Sequence, residues 1–179
     1  MFSRVFILLV ITSTSVASTQ ERKSQWKRIF PPDQSFTFLL PENPSFSTKT
    51  LNGKEGRVEL NDWVLKSRKA RPLMHFSHST CSTAIPAEEA CEARIDAAQE
   101  ATIEELKGRV ISVKRFQLRE HPGKEIRLKL PDGRFAQVRF VAVRKHVFTL
   151  LVVGKKAELE SFEARVFFRS FRLRGAGPQ

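Results

Sequence analysis

Residues 123–153 read GKEIRLKLPDGRFAQVRFVAVRKHVFTLLVV, and the placing of their apolar side chains decides the fold. The run is expected to form three consecutive antiparallel strands, with a turn at Pro131-Asp132-Gly133. A two-residue turn at Asp132-Gly133 would set Ile126 opposite Arg139 and Leu128 opposite Gln137, mixing apolar and polar groups on both faces. A type I turn over Leu130 to Gly133, with Gly133 in a bulge, pairs Ile126 with Val138, Arg127 with Gln137 and Glu125 with Arg139. That register puts Ile126, Leu128, Ala136, Val138 and Phe140 on one face. The other face takes Glu125, Arg127, Lys129, Gln137 and Arg139, with Phe135 near the turn. A slip of one residue would invert every side chain, so the register that sorts the faces is the one expected. Proline suits the second turn position and glycine the left-handed fourth.

The third strand has no polar face between Val147 and Val153, which reads as a central strand covered on both sides. Two amphipathic helices are available as cover. Pro86 to Lys107 opens with proline and three glutamates, suiting the positive end of a helix dipole. It carries Cys91, Ile95, Ala98, Thr102 and Leu106 on one stripe with Ile103 beside it. Its outer side is acidic, and Gly108 stands where a helix-ending glycine is expected. A second helix is expected from about Glu158 to Ser170. Its buried stripe would be Ala164, Phe167, Phe168 and Phe171, widened by Phe162 and Val166. The expected class is therefore α+β: an antiparallel sheet flanked by helices, an α/β/α sandwich.

Working outward, Trp26, Ile29 and Phe30 lead into a turn at Pro31-Pro32-Asp33, and Phe36, Phe38 and Leu40 alternate as a strand. Residues 45–56, 58–67 and 73–79 read as further strands, broken by Asn52-Gly53 and by the stretch 68–72. Val110 to Leu118 adds another. Residues 1–17 carry Arg4, an apolar run from Val5 to Ile11 and the small-residue site Ser15-Val16-Ala17, which reads as a cleaved signal peptide. Seven apolar residues are too few for a membrane span, which needs roughly 20. The expected organisation is a signal peptide (1–17), a polar leader (18–25), a single α/β domain (26–174) and a disordered tail (175–179). The protein would be exported, to a periplasmic or extracellular location, with no span left after cleavage. The 179-residue chain has a formal net charge of +12, and +11 without the signal peptide, whose one charged residue is Arg4. Such a balance favours anionic partners, while export and the lack of a recognition motif argue against nucleic acid.

The order of features resembles exported bacterial members of the PsbP/Mog1-like fold. The residues that carry the likeness are Trp26 followed by PPDQSFTFLLP at 31–41, REHPGKEI at 119–126 and the Pro131-Asp132-Gly133 hairpin. LVVG at 151–154 and FFRSFRL at 167–173 complete it. The chain departs from the pattern in having no tyrosine, and Glu120 occupies the place of a usual glycine. The resemblance implies an α/β/α sandwich across residues 26–173. It implies no chemistry, because one fold hosts many sites.

No nucleophile-elbow, phosphate-loop or zinc-helix motif is present, so no catalytic residue, cofactor or metal ligand is assigned. His75, His78 and Cys81 recur every third residue. On a strand such positions face opposite ways, so they are not expected to converge on a metal. His121 and His146 read as structural or solvent-facing. Cys81 and Cys91 are a candidate disulfide in an oxidising compartment; the place of Cys91 on the helical stripe also suits a buried thiol. Arg127, Lys129, Arg134 and Arg139 form a candidate basic surface, or else a charged defence of a sheet edge. The functional expectation is a non-enzymatic exported domain binding a protein partner or an anionic ligand at the cell envelope. The alternative is an enzyme whose site is assembled from residues distant in sequence.

Overall fold

The structure is a computed structural model that describes residues 26–31, 33–53, 56–68, 71–81 and 87–174. The expected signal peptide, polar leader and tail lie outside these residues. In chain order the elements are β1 (Trp26–Ile29), β2 (Phe36–Pro41), β3 (Ser45–Gly53), β4 (Gly56–Leu65), β5 (Leu73–Cys81), α1 (Ala87–Leu106), β6 (Arg109–Leu118), β7 (His121–Lys129), β8 (Phe135–Val143), β9 (His146–Gly154), α2 (Lys156–Leu159), α3 (Phe162–Ser170) and β10 (Arg172–Leu173). Seven strands form one antiparallel sheet in the order β3-β4-β5-β9-β8-β7-β6, and β1-β2-β10 form a small second sheet.

The central hairpin has the register its side chains predict. Ile126 pairs with Val138, Arg127 with Gln137 and Glu125 with Arg139. Gly133 N–H donates to Leu130 C=O at 3.1 Å, Leu130 N–H to Arg134 C=O at 2.8 Å, and Gly133 has φ +83°. A side chain at that φ is strained, so Gly133→Ala is expected to cost about 1 kcal/mol. A lower urea midpoint with an unchanged slope would show it.

The sheet has two different faces. On one, α1 lies over β7, β8 and the near side of β9. Cys91 and Ile95 pack there on Ile126, Leu128, Val138, Phe140 and Leu151. On the other, Phe36, Phe38 and Leu40 of β2 join Phe167, Phe168 and Phe171 over Trp63, Phe76, Phe148 and Leu150. β9 sits mid-sheet and is dry on both sides, as its unbroken apolar run requires. Half of the second cover is thus a three-stranded sheet rather than a helix. Leu39 N–H donating to Ser170 Oγ at 2.9 Å ties that small sheet to α3.

Three local expectations are corrected. The second helix is two helices, broken at Glu160-Ser161, because Ser161 caps α3 by accepting from Ala164 N–H at 3.1 Å. Phe162 then falls in the first helical turn; it does not widen the buried stripe but stands exposed, edge-on to Trp26. At the end of α1 the left-handed residue is Lys107, φ 50°, not Gly108. Lys107 N–H bonds Glu104 C=O and Gly108 N–H reaches Ile103 C=O, a Schellman closure. Glycine suits 108 by closeness: a Cβ there would lie 3.0 Å from Leu128 Cβ, a tight contact that would press on the Leu128 side chain.

Candidate functional site

The four cations singled out in the sequence have different fates. Arg134 Nε donates to Asp132 Oδ2 at 2.6 Å, and the Arg134 backbone and side-chain donors hold the Asp132 carboxyl below its usual range. Arg139 Nε donates to Glu125 Oε2 at 2.5 Å. Its guanidinium also lies over the Phe168 ring, 4.8 Å from the centroid, and 5.7 Å from that of Phe116. Both arginines are neutralised by acids of the same hairpin. Arg127 and Lys129 have no acidic partner among the described residues.

Strand β6 supplies what the sequence reading missed. Arg109 pairs with Lys129, Ser112 with Arg127 and Lys114 with Glu125, with a bulge at Ile111 between Val110 and Ser112. Paired residues share a face, so Arg109, Lys114, Arg127 and Lys129 stand together on the side of the sheet that carries α3. The only acid among them, Glu125, is taken by Arg139. A signal existed: Leu118 faces His121 across the short Arg119-Glu120 turn, and counting back from it sets Lys114 against Glu125. The one-residue bulge needed to bring Arg109 to Lys129 has no such signature.

The histidines fall on opposite faces of β5, as expected. His75 Nε2 lies 2.8 Å from Asp62 Oδ1. Burial pushes the Asp62 carboxyl up. The His75 hydrogen bond and charge, helped by Ser77 and Lys49, outweigh it and hold the carboxyl below its usual value. On the other face His78 Nε2 and His146 Nδ1 are 3.0 Å apart, with Thr80 Oγ1 3.2 Å from the latter. The His78 ring stacks on Phe148 with centroids 4.9 Å apart. Among the described residues no three metal-ligating side chains gather.

A cavity of about 340 Å³ opens between α1 and the β6–β7 edge, lined by Glu92, Ile95, Arg115, Phe116, Gln117 and Lys124. Its charges are already matched, Arg115 with Glu92 at 3.3 Å and Lys124 with Asp96. It is three strands away from His75. The Cys81–Cys91 disulfide is absent: both thiols are free. Cys91 is buried on the α1 stripe with Sγ turned to Arg144 C=O, whereas Cys81 ends β5 paired across to Val58 on β4.

No family model matches the chain, and no curated protein matches it. Solved structures do. The cyanobacterial PsbP protein (CyanoP) of Synechocystis sp. PCC 6803 superposes with a TM-score of 0.55 at 8% identity, covering 84% of this chain and 94% of that one. The fold is PsbP-like. A protein of unknown function from Pseudomonas aeruginosa, described as a putative regulator, aligns over 66% of this chain and 90% of its own at 14% identity and a TM-score of 0.41. A Bacteroides thetaiotaomicron protein aligns over 86% of this chain and 50% of its own at 12% identity and a TM-score of 0.39. The PsbP-like fold agrees with the α+β sandwich read from the sequence, and it assigns no chemistry to the cationic face.

Proposed function

We propose that this protein is an exported, non-enzymatic binding module that holds an acidic protein partner on the cationic face of β6 and β7. One observation carries the reading. Arg109 stands directly opposite Lys129, with Arg127 beside them and no acid to share. Like charges placed opposite each other across strands repel and lower stability; an anionic partner would convert that repulsion into attraction. Edge defence accounts for Arg109 and Lys114, which lie on the outermost strand. It does not account for Arg127 and Lys129, which lie one strand in. The enzyme alternative would need a pocket at the Asp62–His75 pair, and the described cavity lies elsewhere.

The test is retention on a polyanionic resin. The double variant Arg127→Gln/Lys129→Gln is expected to elute at clearly lower salt than Arg22→Gln/Lys23→Gln, which removes the same charge from the leader. Binding through phosphate-like or carboxylate contacts weakens steeply with salt, so two lost contacts are readily measured. Equal retention of the two double variants would end the cationic-face reading.

A further inference from the structure

We propose that the outer edge of β6 receives an extended segment of an acidic partner as an eighth strand, and that this segment alternates acidic with apolar residues. The inference rests on the cationic-face reading and adds to it the mode and pattern of binding. Among the described residues β6 closes the sheet and pairs only with β7, so its outer row of backbone donors and acceptors has no described strand beside it. Its side chains are unusually bare for an edge: Val110, Ile111 and Val113 are 40%, 51% and 50% exposed. The strand RVISVKRFQL carries three cations and no acid. Strand addition draws affinity from main-chain hydrogen bonds and specificity from alternate side chains.

The register of β7 shows what a second neighbour would meet. Five consecutive residues, Glu125 to Lys129, lie opposite Lys114, Val113, Ser112, Val110 and Arg109, with the bulged Ile111 skipped. A strand on the outer side would run past the same positions. Residues facing Arg109 and Lys114 would be acidic, and a third acid over Ser112 would reach toward Arg127. The two between them, facing Val110 and Val113, would be apolar. The expected core of the ligand is therefore acidic–apolar–acidic–apolar–acidic.

Charge complementarity selects this occupant over a second copy. Pairing β6 antiparallel with itself would set a strand carrying Arg109, Lys114 and Arg115 and no acid against another of the same charge. The opposite edge, β3, offers one base, Lys49, and no acid to complement them.

The experiment uses the full-length chain and two synthetic peptides of equal charge. One contains Glu-Val-Glu-Val-Glu flanked by threonines; the other has both valines replaced by proline, which removes the amides and the extended pairing. The alternating peptide is expected to bind at least tenfold tighter and to slow amide exchange across residues 109–118. Val113→Glu is expected to abolish that advantage, with an unchanged melting temperature as the check on folding. If both peptides bind alike, and both lose binding in Arg127→Gln/Lys129→Gln, strand addition is overturned while the cationic face stands. If neither binds, or exchange in 109–118 is unaffected, strand addition is overturned, and the resin test decides the cationic face separately. A chain that dimerises through β6, shown by Val113→Glu restoring the monomer, would overturn it in favour of a second copy.

Discussion

Replacing Phe76 with alanine is expected to lower stability by about 4 kcal/mol, the range for emptying a fully buried phenylalanine site. Phe76 is inaccessible to solvent, near the middle of β5, where the large sheet meets its second cover. Its ring stacks on Phe38 at 4.0 Å between centroids and 11° between planes, and on Phe36 at 5.2 Å. Trp63 stands edge-on at 5.7 Å, and Phe171 lies 5.6 Å away. The ring therefore touches strand, small sheet and the end of α3 at once, and no neighbour is free to fill the space. Domains are stable by roughly 5–15 kcal/mol, so the loss would be a large share of the total. Urea unfolding would show it as a midpoint lower by roughly 2 M, for a slope near 2 kcal/mol/M. Phe46→Ala is the comparison: that ring is more than half exposed, and Trp63 is its one aromatic neighbour among the described residues, so its loss is expected to stay below about 1 kcal/mol. Similar midpoints for the two variants would contradict the layered core.

What could be read in advance follows from how local each determinant is. The β7–β8 register was legible because turn chemistry and side-chain alternation over residues 125–140 favour the same pairing. The same register already opposes Glu125 to Arg139, so the neutralisation of that arginine was implicit in it. Asp132, two residues before Arg134, implied the other pairing. The cationic face was half legible. Arg127 and Lys129 come from the hairpin, but Arg109 and Lys114 join them only through a pairing shifted by the Ile111 bulge. The break at Ser161 was missed because the apolar spacing from Leu159 to Phe171 hides a change of axis, although serine before a helical run is an ordinary cap. The contact of β2 with β5 and β9 joins residues more than thirty positions apart, and nothing in the local pattern of 36–41 names its partner.

Acid is expected to weaken the fold mainly through His78. Burial, and then the neighbouring His146, lower its pKa from the usual 6.5 to about 4, against the opposing pull of Asp33 and Glu59. Burial and Lys145 push His146 down as well. A histidine with a lowered folded pKa favours the unfolded chain once protons are available. Its stabilisation is whole above about pH 6.5 and declines as the pH falls toward 4. For His78 alone the loss across that window is about 3 kcal/mol, at 1.36 kcal/mol per unit. Asp62 acts in a separate range. Its carboxyl is held below 3.8, so its contribution persists above that value and is lost only as the pH falls through the lowered pKa. Unfolding free energies measured at pH 7, 5.5 and 4 should therefore fall steeply for the natural chain. His78→Gln retains a donor for His146 and removes the titration, so its profile should be much flatter over the same interval. Equal slopes would mean that the imidazole takes up its proton in the folded chain as readily as in the unfolded one, so that the pairing with His146 and the stack on Phe148 do not exclude it.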